Sequence, residues 1–434
     1  MKHLMLLALL VISTGPISGG NIDYLGNRSV AYLRNFARNA AVDGADMATY
    51  DPAGLVFLDE GLHLELGNQL LLKNYSIETV PFWDSTTVEK YDSREPTFCL
   101  PDFHAAYRTG PLAVFGSFTV PAGGGSLVYE KGLYVMSLLE TGYQQAVRGG
   151  SDFFAVMSRG DVTMSSVYMA GTLGASYAVS DVLSLGLSGR YVTAERNVEG
   201  RADFVVYGPD STGTVVPVDT TSRSLDVRKA ADGMGGALSV HLKPTHDLDI
   251  SLRFETPVPL EFVTDVFAND WEAAALPDSS FTDGYVRRRD LPAILAGGIS
   301  FGISPELRLG TMFNYYFVEW ADRGEEDGLD DDYENGSDIG IGLDWKVSSR
   351  LTASAGYLWS DQGGGSDTYR DMEYSLDYHS LGGGVEIRTC DAVALDLAGG
   401  RNFYLEGSGS GVYGNSTYYK SVWFFGLGVK IHPR

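Results

Sequence analysis

The sequence has few cysteines and an excess of negative over positive charge. Its 434 residues include 2 cysteines, and 32 lysine and arginine residues stand against 56 aspartate and glutamate residues, a formal net charge of −24. Cys99 and Cys390 are too few for a disulfide scaffold, and neither lies in a metal-type cluster. Whether they pair with each other stays open. The acidic balance argues against nucleic acid as a partner, because a phosphate-binding face needs clustered lysine and arginine.

Long apolar runs are also missing, except at the amino terminus. After Asn21 no stretch approaches the roughly 18 to 20 consecutive apolar residues that a transmembrane helix needs. Before it, Lys2 is followed by the apolar run Leu4–Ile12 and by small residues at Ser18–Gly20. This order predicts a secretory signal peptide over residues 1–20, because the run is too short to span a bilayer as a helix.

What the sequence does contain is glycine, tyrosine and a period-two alternation of apolar with polar or small residues. It has 53 glycines and 25 tyrosines. The clearest alternating stretches are Leu183–Tyr191, Leu248–Glu255, Ile339–Lys346, Leu351–Trp359 and Trp423–Ile431. This period predicts β-strands. In a soluble sandwich the apolar face would point to a core, and in a membrane barrel it would meet lipid, so alternation alone does not separate the two.

The spacing of the turns favours the membrane barrel. Short turns are predicted at Arg108–Pro111, Ser180–Asp181, Lys243–Asp247, Ser304–Glu306, Ser348–Arg350 and Cys390–Asp391. Between them lie long polar stretches, at Ile77–Phe98, Pro121–Thr163, Arg196–Ala231, Phe262–Asp290, Ala321–Asp338, Ser360–Tyr378 and Glu406–Tyr419. Short turns at one rim and long loops at the other are typical of bacterial outer-membrane barrels.

These hairpins predict an all-β, antiparallel transmembrane barrel over residues 59–434, with its outer face against membrane lipid. The six short turns give twelve strands, and one strand before them (Leu62–Ile77) and one after (Lys420–Ile431) bring the total to about 14, an even number as closure requires.

Residues 21–58, between the signal peptide and the barrel, do not have the strand pattern. Ser29–Asn39 carries apolar residues at helical spacing, and a turn follows at Tyr50–Gly54. Exposing this apolar segment to water would be costly. We therefore predict an amino-terminal hatch folded inside the lumen, for which a barrel of this size has room.

Motifs of the common enzyme classes are absent from the sequence. It has no Gly-x-Ser-x-Gly elbow, no His-Glu-x-x-His pair and no phosphate-binding loop. His241 and His246 flank a predicted short turn, and we interpret them as residues of the barrel rim. The acidic stretch Glu325–Glu334 does not match the spacing of a calcium loop, so we interpret it as a solvated loop. We predict no enzyme activity, no metal site and no cofactor.

Three stretches together resemble the FadL-type outer-membrane transporters of long-chain fatty acids and other hydrophobic compounds. Gly44–Leu55 resembles the hatch motif of that family, with Asp51 where asparagine is common before Pro-Ala-Gly-Leu. Asp181–Tyr191 resembles the strand after the second short turn, and Leu291–Trp320 resembles the Leu-Pro…Tyr…Trp hairpin. The resemblance extends over almost the whole chain after the signal peptide.

The resemblance implies passive transport through a barrel of 14 strands, with a hatch and with lateral release at a kinked third strand. Here the third strand would begin at Leu112, and Pro121 and Gly123 would interrupt its ladder, because proline lacks the donor and glycine packs weakly. The start of a loop would suit these residues equally well. Asp51 and Pro52 of the hatch are the other gating residues that we expect.

A fatty acid needs an apolar slot and one or two cations or hydrogen-bond donors for its carboxylate. The alternation turns Arg190 towards the lumen, and Arg196 lies near the position where the family binds the carboxylate. Each could instead be a structural partner of an acidic side chain in the lumen. Tyr32, Phe36 and Phe57 of the hatch are the expected apolar lining, although packing of the hatch would explain them as well.

The leading prediction is passive outer-membrane transport of long-chain fatty acids or similar hydrophobic small molecules. The alternative is a binding platform for secreted surface proteins, which would need a stable protein partner and a lumen with no apolar slot of ligand size. A general porin would conduct ions without a plug, and the hatch-like segment counts against it.

Overall fold

The structure is a computed structural model, and it describes residues 26–81, 86–134, 153–270, 281–322, 333–371, 373–411 and 414–432. The predicted signal peptide, residues 1–20, lies outside these ranges. So do the first residues of the predicted hatch and most of the acidic stretch Glu325–Glu334.

The described strands form one antiparallel sheet. They are β1 (Gly61–Pro81), β2 (Glu89–Ser93), β3 (Thr97–Thr109), β4 (Leu112–Tyr129), β5 (Phe154–Ala178), β6 (Leu183–Pro209), β7 (Val215–Thr245), β8 (Leu248–Glu255), β9 (Glu261–Asn269), β10 (Val286–Arg288), β11 (Ala293–Gly302), β12 (Leu307–Phe317), β13 (Gly336–Ser348), β14 (Leu351–Asp361), β15 (Tyr378–Cys390), β16 (Val393–Tyr404), β17 (Gly407–Gly411) and β18 (Gly414–Ile431).

Fourteen of these strands close into a barrel, which confirms the predicted fold class. The short strands β2, β9 and β17 pair with parts of the long strands β1, β7 and β18, and β10 pairs with β9. Closure is made by β1 and β18, which pair from Leu64 with Ile431 to Pro81 with Gly414. In the described part of the chain, closure gives each wall strand a neighbour on both sides, with which it pairs over part or all of its length.

Apolar side chains of the wall point outwards and polar side chains point into the barrel. On β6, Leu187 is 62% exposed and its neighbour Ser188 is 8% exposed. On β8, Leu252 is 48% exposed and Arg253 is 5% exposed. A soluble sandwich would show the reverse arrangement. The closed antiparallel sheet with an apolar outer belt makes this chain an outer-membrane β-barrel, in agreement with the predicted location.

The six predicted short turns all connect consecutive strands, but the predicted long loop Arg196–Ala231 is largely strand, and strands also extend into the predicted loop Pro121–Thr163. β4 and β5 extend into the stretch 121–163, and β6 and β7 extend through 196–231 to a tight turn between Pro209 and Val215. The outer part of β7 is half-buried or exposed on both of its faces. The apolar alternation therefore fades there while the backbone ladder continues. For this reason the sequence pattern predicted strands that are shorter than β6 and β7.

The described helices are short. They are α1 (Val30–Arg34), α2 (Met47–Tyr50) and two 3-10 helices, η1 (Pro52–Phe57) and η2 (Val318–Trp320). In the part of the chain that the structure describes, none is both long and apolar enough to cross a membrane.

Residues 26–58, which we call the amino-terminal segment, lie inside the barrel. At one side α1 contacts β14, β15, β16 and β18, and at the other side η1 contacts β3 to β7. Ala53 of η1 is fixed through its backbone, because its N–H donates to Oγ of Ser239 at 3.0 Å and its carbonyl accepts from Oγ of Ser184 at 2.6 Å. The segment thus crosses the lumen from one wall to the opposite wall.

Inward-facing glycines leave room for this segment. A Cβ atom on Gly342 of β13 would lie 1.6 Å from Oδ1 of Asn35, and one on Gly382 of β15 would lie 2.5 Å from the carbonyl oxygen of Leu33. A larger residue at Gly342 would force the Asn35 side chain to move, and one at Gly382 would clash with the backbone of the segment. Part of the high glycine content of the chain therefore serves close packing inside the barrel.

The two cysteines do not pair. Cys99 in β3 and Cys390 at the end of β15 are both free thiols on exposed residues. The pairing that the sequence left open is thereby answered, and the hydrogen-bond ladder between β1 and β18 closes the barrel without a covalent bridge.

Candidate functional site: an aromatic cavity beside a seam in the barrel wall

An aromatic cavity of ≈ 60 Å³ lies between the amino-terminal segment and the barrel wall. Tyr32 and Phe36 line it from the segment. The apolar lining from the wall consists of Leu71 and Tyr75 of β1, Leu358 of β14, Tyr378 of β15, Tyr404 of β16, and Val422 and Phe424 of β18. The polar lining consists of Asn27, Lys73, Ser380 and Asn402. Mostly apolar walls with a few polar groups are typical of sites for small hydrophobic molecules.

Ring contacts hold the two aromatic residues of the segment in place. The rings of Tyr32 and Tyr50 stack with their centroids 5.4 Å apart, and Tyr32 meets Phe36 edge to face at 5.3 Å. Phe36 in turn meets Phe424 of β18 edge to face at 6.3 Å. Helix α1 is positioned by Ser29, whose hydroxyl accepts from the N–H of Tyr32 at 3.0 Å as an N-cap. Tyr32 is therefore held by rings of the segment, and Phe36 by rings of the segment and of the wall.

Buried charges fix the fold of the segment itself. The guanidinium group of Arg38 donates to both carboxylate oxygens of Asp46, and the hydroxyl of Ser29 donates to the same carboxylate at 2.8 Å. Burial alone would raise the pKa of Asp46, but the charge and hydrogen bonds of Arg38 outweigh burial and keep this pKa below its ordinary value. The segment thus has its own internal framework and does not depend on wall contacts alone.

The wall next to the cavity contains a kink in β4. The register between β4 and β5 shifts twice between Thr119 and Gly125. Gly123 and Gly125 have φ angles of 77° and 104°, a region that residues with a side chain rarely adopt. Pro121 precedes them without an N–H to donate. The strand continues through the kink as two successive bulges. Pro121 and Gly123 therefore lie within a strand and do not begin a loop.

On its other edge β4 separates from β3. The backbone ladder between them begins at Thr109 with Leu112 and ends at Phe103 with Phe118, although β3 continues in its pairing with β1. Beyond that point residues 119–128 of β4 face β1, β2 and β3 across a gap in the ladder, which we call the seam. The seam borders the aromatic cavity, because Gly123 also lines that cavity.

Side chains bridge the seam where the ladder is missing. Oγ1 of Thr97 donates to the carbonyl oxygen of Gly124 at 2.7 Å, and Nζ of Lys73 donates to the carbonyl oxygens of Gly124 and Ser126, each at 2.9 Å. Farther along, the N–H of Val128 donates to Oγ of Ser93 at 2.9 Å. A wall held by a few side chains separates with fewer broken bonds than a wall held by a full ladder.

The structure brings three of the predicted site residues together and places Phe57 elsewhere. Tyr32, Phe36 and Gly123 line the same aromatic cavity. Phe57 lines a polar cavity of ≈ 350 Å³ at the end of the barrel that carries the short turns, and its ring centroid lies 5.1 Å from that of His241.

Arg190 belongs to a buried cluster of charges outside the aromatic cavity. Glu255 is contacted by three guanidinium groups, with nitrogen to oxygen distances of 2.6 Å from Arg190, 3.1 Å from Arg253 and 3.5 Å from Arg28. The structural ion pair foreseen as an alternative for Arg190 is therefore present. Three guanidinium groups thus share the carboxylate of Glu255 inside the lumen.

Arg196 lies in a different part of the lumen. Its guanidinium group is 3.4 Å from Glu373, a carboxylate that also accepts from Arg289. Six residues of β6 separate Arg196 from Arg190, which corresponds to about 20 Å along a strand. The two predicted arginines thus do not form one carboxylate site.

The predicted gating residue Asp51 is bound to a histidine that the sequence interpretation placed wrongly. Nδ1 of His241 lies 2.6 Å from Oδ2 of Asp51, and Nε2 lies 3.1 Å from Oδ1 of Asp249, with all three side chains fully buried. His241 is therefore not a residue of the barrel rim but a link between η1 and the wall. The neighbouring Pro52 accepts from Oγ of Ser176 at 2.6 Å.

Sequence reasoning missed Lys73 and Asn27 as residues of the cavity. The signal for Lys73 was available, because the alternation of the predicted strand Leu62–Ile77 puts it on the same face as Leu71 and Tyr75. No pattern pointed to Asn27, which precedes the first helix. Within the described ranges, no group of three or more histidine, cysteine, aspartate or glutamate side chains could hold a metal ion.

Comparison with known proteins rests on structure, since neither a protein-family model nor a curated protein matches the sequence. A FadL homologue of Pseudomonas aeruginosa superposes with a TM-score of 0.64 at 16% identity, over 95% of this chain and 99% of that one. The chain has the FadL-type fold.

Two toluene transporters share this FadL-type fold. TodX of P. putida has a TM-score of 0.60 at 13% identity, covering 90% of this chain and 94% of its own. TbuX of Ralstonia pickettii has a TM-score of 0.60 at 16% identity, covering 96% and 100%. At such identities the similarity speaks for the architecture of the barrel and not for a shared ligand.

Proposed function

We propose that this chain carries long-chain fatty acids or similar hydrophobic small molecules passively across the outer membrane. The observation that carries the proposal is the aromatic cavity beside the seam, formed by Tyr32, Phe36 and wall residues next to the kink of β4. A cavity of this lining accepts an apolar chain or ring, and a wall without a backbone ladder offers an exit to the side. Known structures with the same fold include transporters of toluene.

Transport by this route requires a movement of the segment or of the kink. The cavity of ≈ 60 Å³ is smaller than the cavity of about 150 Å³ that holds one benzene molecule in another protein. A ligand therefore enters only if Tyr32 and Phe36 move or if the seam opens. In the proposal the amino-terminal segment acts as a hatch hinged near Asp51 and Pro52, and Pro121 and Gly123 give the kinked strand its freedom.

The predicted arginines receive separate roles in the proposal. Arg196, with Arg289, attracts the carboxylate of an incoming fatty acid in one part of the lumen. The guanidinium groups of Arg190, Arg28 and Arg253, which share Glu255, attract it in another part. An arginine that binds a glutamate can release that carboxylate and bind the carboxylate of a fatty acid instead, with little net loss of hydrogen bonds.

The other two predicted functions make different demands on the lumen. A binding platform for secreted surface proteins was expected to have a lumen without an apolar slot of ligand size; the aromatic cavity of ≈ 60 Å³ reaches that size only when Tyr32 and Phe36 move, so ligand uptake decides between the platform and the transporter. A general porin was expected to have an unobstructed lumen, whereas the amino-terminal segment crosses this one.

The proposal is tested by uptake of a fluorescent long-chain fatty acid in cells that depend on this gene for uptake. We expect the Tyr32→Ala, Phe36→Ala double variant to take up the fatty acid about thirtyfold more slowly, because each removed ring weakens ligand contact by roughly 1 kcal/mol. Arg190→Ala and Arg196→Ala, made separately, should each slow uptake less.

A matched control removes two aromatic rings from the lipid-facing belt, in a Tyr315→Ala, Phe425→Ala variant, and should leave uptake unchanged at equal expression. If a correctly assembled barrel gives no uptake that depends on the gene, fatty acid transport is rejected, and radiolabelled toluene becomes the next substrate. If the cavity variant equals the control, the aromatic cavity does not lie on the route.

A further inference from the structure

Building on the proposed transport function, we propose that Lys73 is a clasp that holds the seam closed. The acidic head group of a ligand in the aromatic cavity then opens the seam, because it accepts the hydrogen bonds of the Lys73 ammonium group in place of the carbonyl oxygens of β4. Lys73 would then set the specificity of the exit, favouring hydrophobic anions over neutral compounds of the same shape.

The clasp rests on where the Lys73 side chain ends. It reaches from β1 to the inner side of the kinked part of β4, is 6% exposed, and donates to the carbonyl oxygens of Gly124 and Ser126. These carbonyls belong to the stretch of β4 that has lost its ladder with β3. A buried ammonium group needs acceptors, and these two carbonyl oxygens supply them.

The surroundings of Gly125 show how closely the clasp is packed. A Cβ atom on this glycine would lie 1.6 Å from Oγ1 of Thr97 and 2.5 Å from Nζ of Lys73. The positive φ of Gly125 turns the backbone so that the carbonyls on either side of it face the two donors. The kink and the clasp thus form one unit, made of a backbone bend and the two side chains that bind it.

The same ammonium group lines the cavity in which the ligand is proposed to bind. A carboxylate accepts a stronger hydrogen bond from an ammonium group than a neutral backbone carbonyl does. When a fatty acid places its carboxylate at Lys73, the carbonyl oxygen of Ser126 loses the ammonium group as a donor. The carbonyl oxygen of Gly124 then keeps the hydrogen bond from the hydroxyl of Thr97. A neutral alcohol or hydrocarbon offers no such exchange and leaves the clasp in place.

The clasp is tested by hydrogen–deuterium exchange of the purified full chain in lipid nanodiscs, followed at the amides of residues 119–128. We expect roughly tenfold faster exchange in Lys73→Met than in the wild type, because loss of a charge-assisted hydrogen bond raises local opening by about that factor. Lys73→Arg keeps the donors and should exchange like the wild type. Lys346→Met, at an exposed lysine of β13, is the matched control and should have no effect.

The head-group exchange is tested by adding palmitate or 1-hexadecanol, which share one tail and differ in charge. In the wild type, palmitate should speed exchange at residues 119–128 and hexadecanol should not. In Lys73→Met, neither compound should change the exchange further. Equal effects of the two compounds on the wild type would overturn the head-group exchange, and unchanged exchange in ligand-free Lys73→Met would overturn the clasp.

Calorimetric binding measurements on the same samples separate this inference from the proposed function. If the wild type binds neither compound, the proposed function fails and the head-group exchange fails with it. The clasp is still decided by hydrogen–deuterium exchange of ligand-free Lys73→Met against the ligand-free wild type. If Lys73→Met does not assemble, Thr97→Val removes the other donor to Gly124, and faster exchange at residues 119–128 is expected there too. Wild-type exchange in Thr97→Val would then contradict a seam held by side chains.

Discussion

At the scale of single residues, charged side chains inside the barrel tie the amino-terminal segment to the wall. The link between Asp51 and His241 gives a physical reason for the departure from asparagine in the hatch motif, because a buried carboxylate needs a partner and His241 supplies one. Asp249 on the other ring nitrogen also binds Lys243 and Arg308, so it does not depend on His241 alone.

Replacement of His241 should loosen the segment. We expect His241→Ala to lower the free energy of unfolding by about 3 kcal/mol, because it leaves the carboxylate of Asp51 buried without its partner. Asp51→Asn should lower it by about 1 kcal/mol or less, since the amide retains a hydrogen bond to the ring. Urea unfolding in detergent micelles, followed by tryptophan fluorescence, measures both variants.

The control is His246→Ala, whose side chain is 96% exposed, and no change is expected for it. Equal midpoints for His241→Ala and His246→Ala would show that the link to Asp51 contributes nothing to stability.

The direction of single side chains was predictable from the sequence, but their partners were not. Leu238, Val240 and Leu242 alternate on the outer face of β7, and this places His241 on the inner face. Its partner Asp51 lies 190 residues away in the chain, and no periodic pattern encodes that contact. For the same reason alternation placed Arg190 in the lumen without showing that it shares Glu255 with Arg253.

At the scale of elements, the amino-terminal segment contacts opposite sides of the barrel wall across the lumen. Without it, the lumen of a barrel of this size would hold water and ions, as wider barrels do. We expect deletion of residues 29–50 to raise ion conductance in planar lipid bilayers severalfold over that of the wild type. Single-channel recording at fixed salt concentration gives the measurement.

The Tyr32→Ala, Phe36→Ala variant retains the segment and serves as the control, with conductance expected near that of the wild type. Unchanged conductance in the deletion variant would contradict the role of the segment as a hatch.

Strand existence was easier to predict than strand length. The lipid-facing parts of the strands were found because the membrane imposes apolar residues at every second position. Outside the membrane that requirement ends, so the extensions of β6 and β7 left no periodic signal. The separation of β4 from β3 was also hidden, because proline and glycines at positions 121–125 are compatible with a bulged strand and with a loop.

At the scale of the whole molecule, the barrel combines an apolar outer belt, a lumen crossed by a folded segment, and one seam beside an aromatic cavity. The outward direction of Leu187 and Leu252 decides between a soluble sandwich and a membrane barrel, a choice that alternation left open. These features together favour a route for hydrophobic compounds that leads through the wall and not along an aqueous channel.

The central claim is that a hydrophobic ligand occupies the aromatic cavity, and photolabelling tests it most directly. The purified barrel in lipid vesicles is irradiated with palmitate that carries a diazirine at its tail, and labelled residues are identified by mass spectrometry. The account predicts labels on Tyr32, Phe36 and their neighbours in the cavity, which excess unlabelled palmitate removes. Labels confined to the outer belt, at residues such as Leu187 and Leu252, and unaffected by competition, would contradict it.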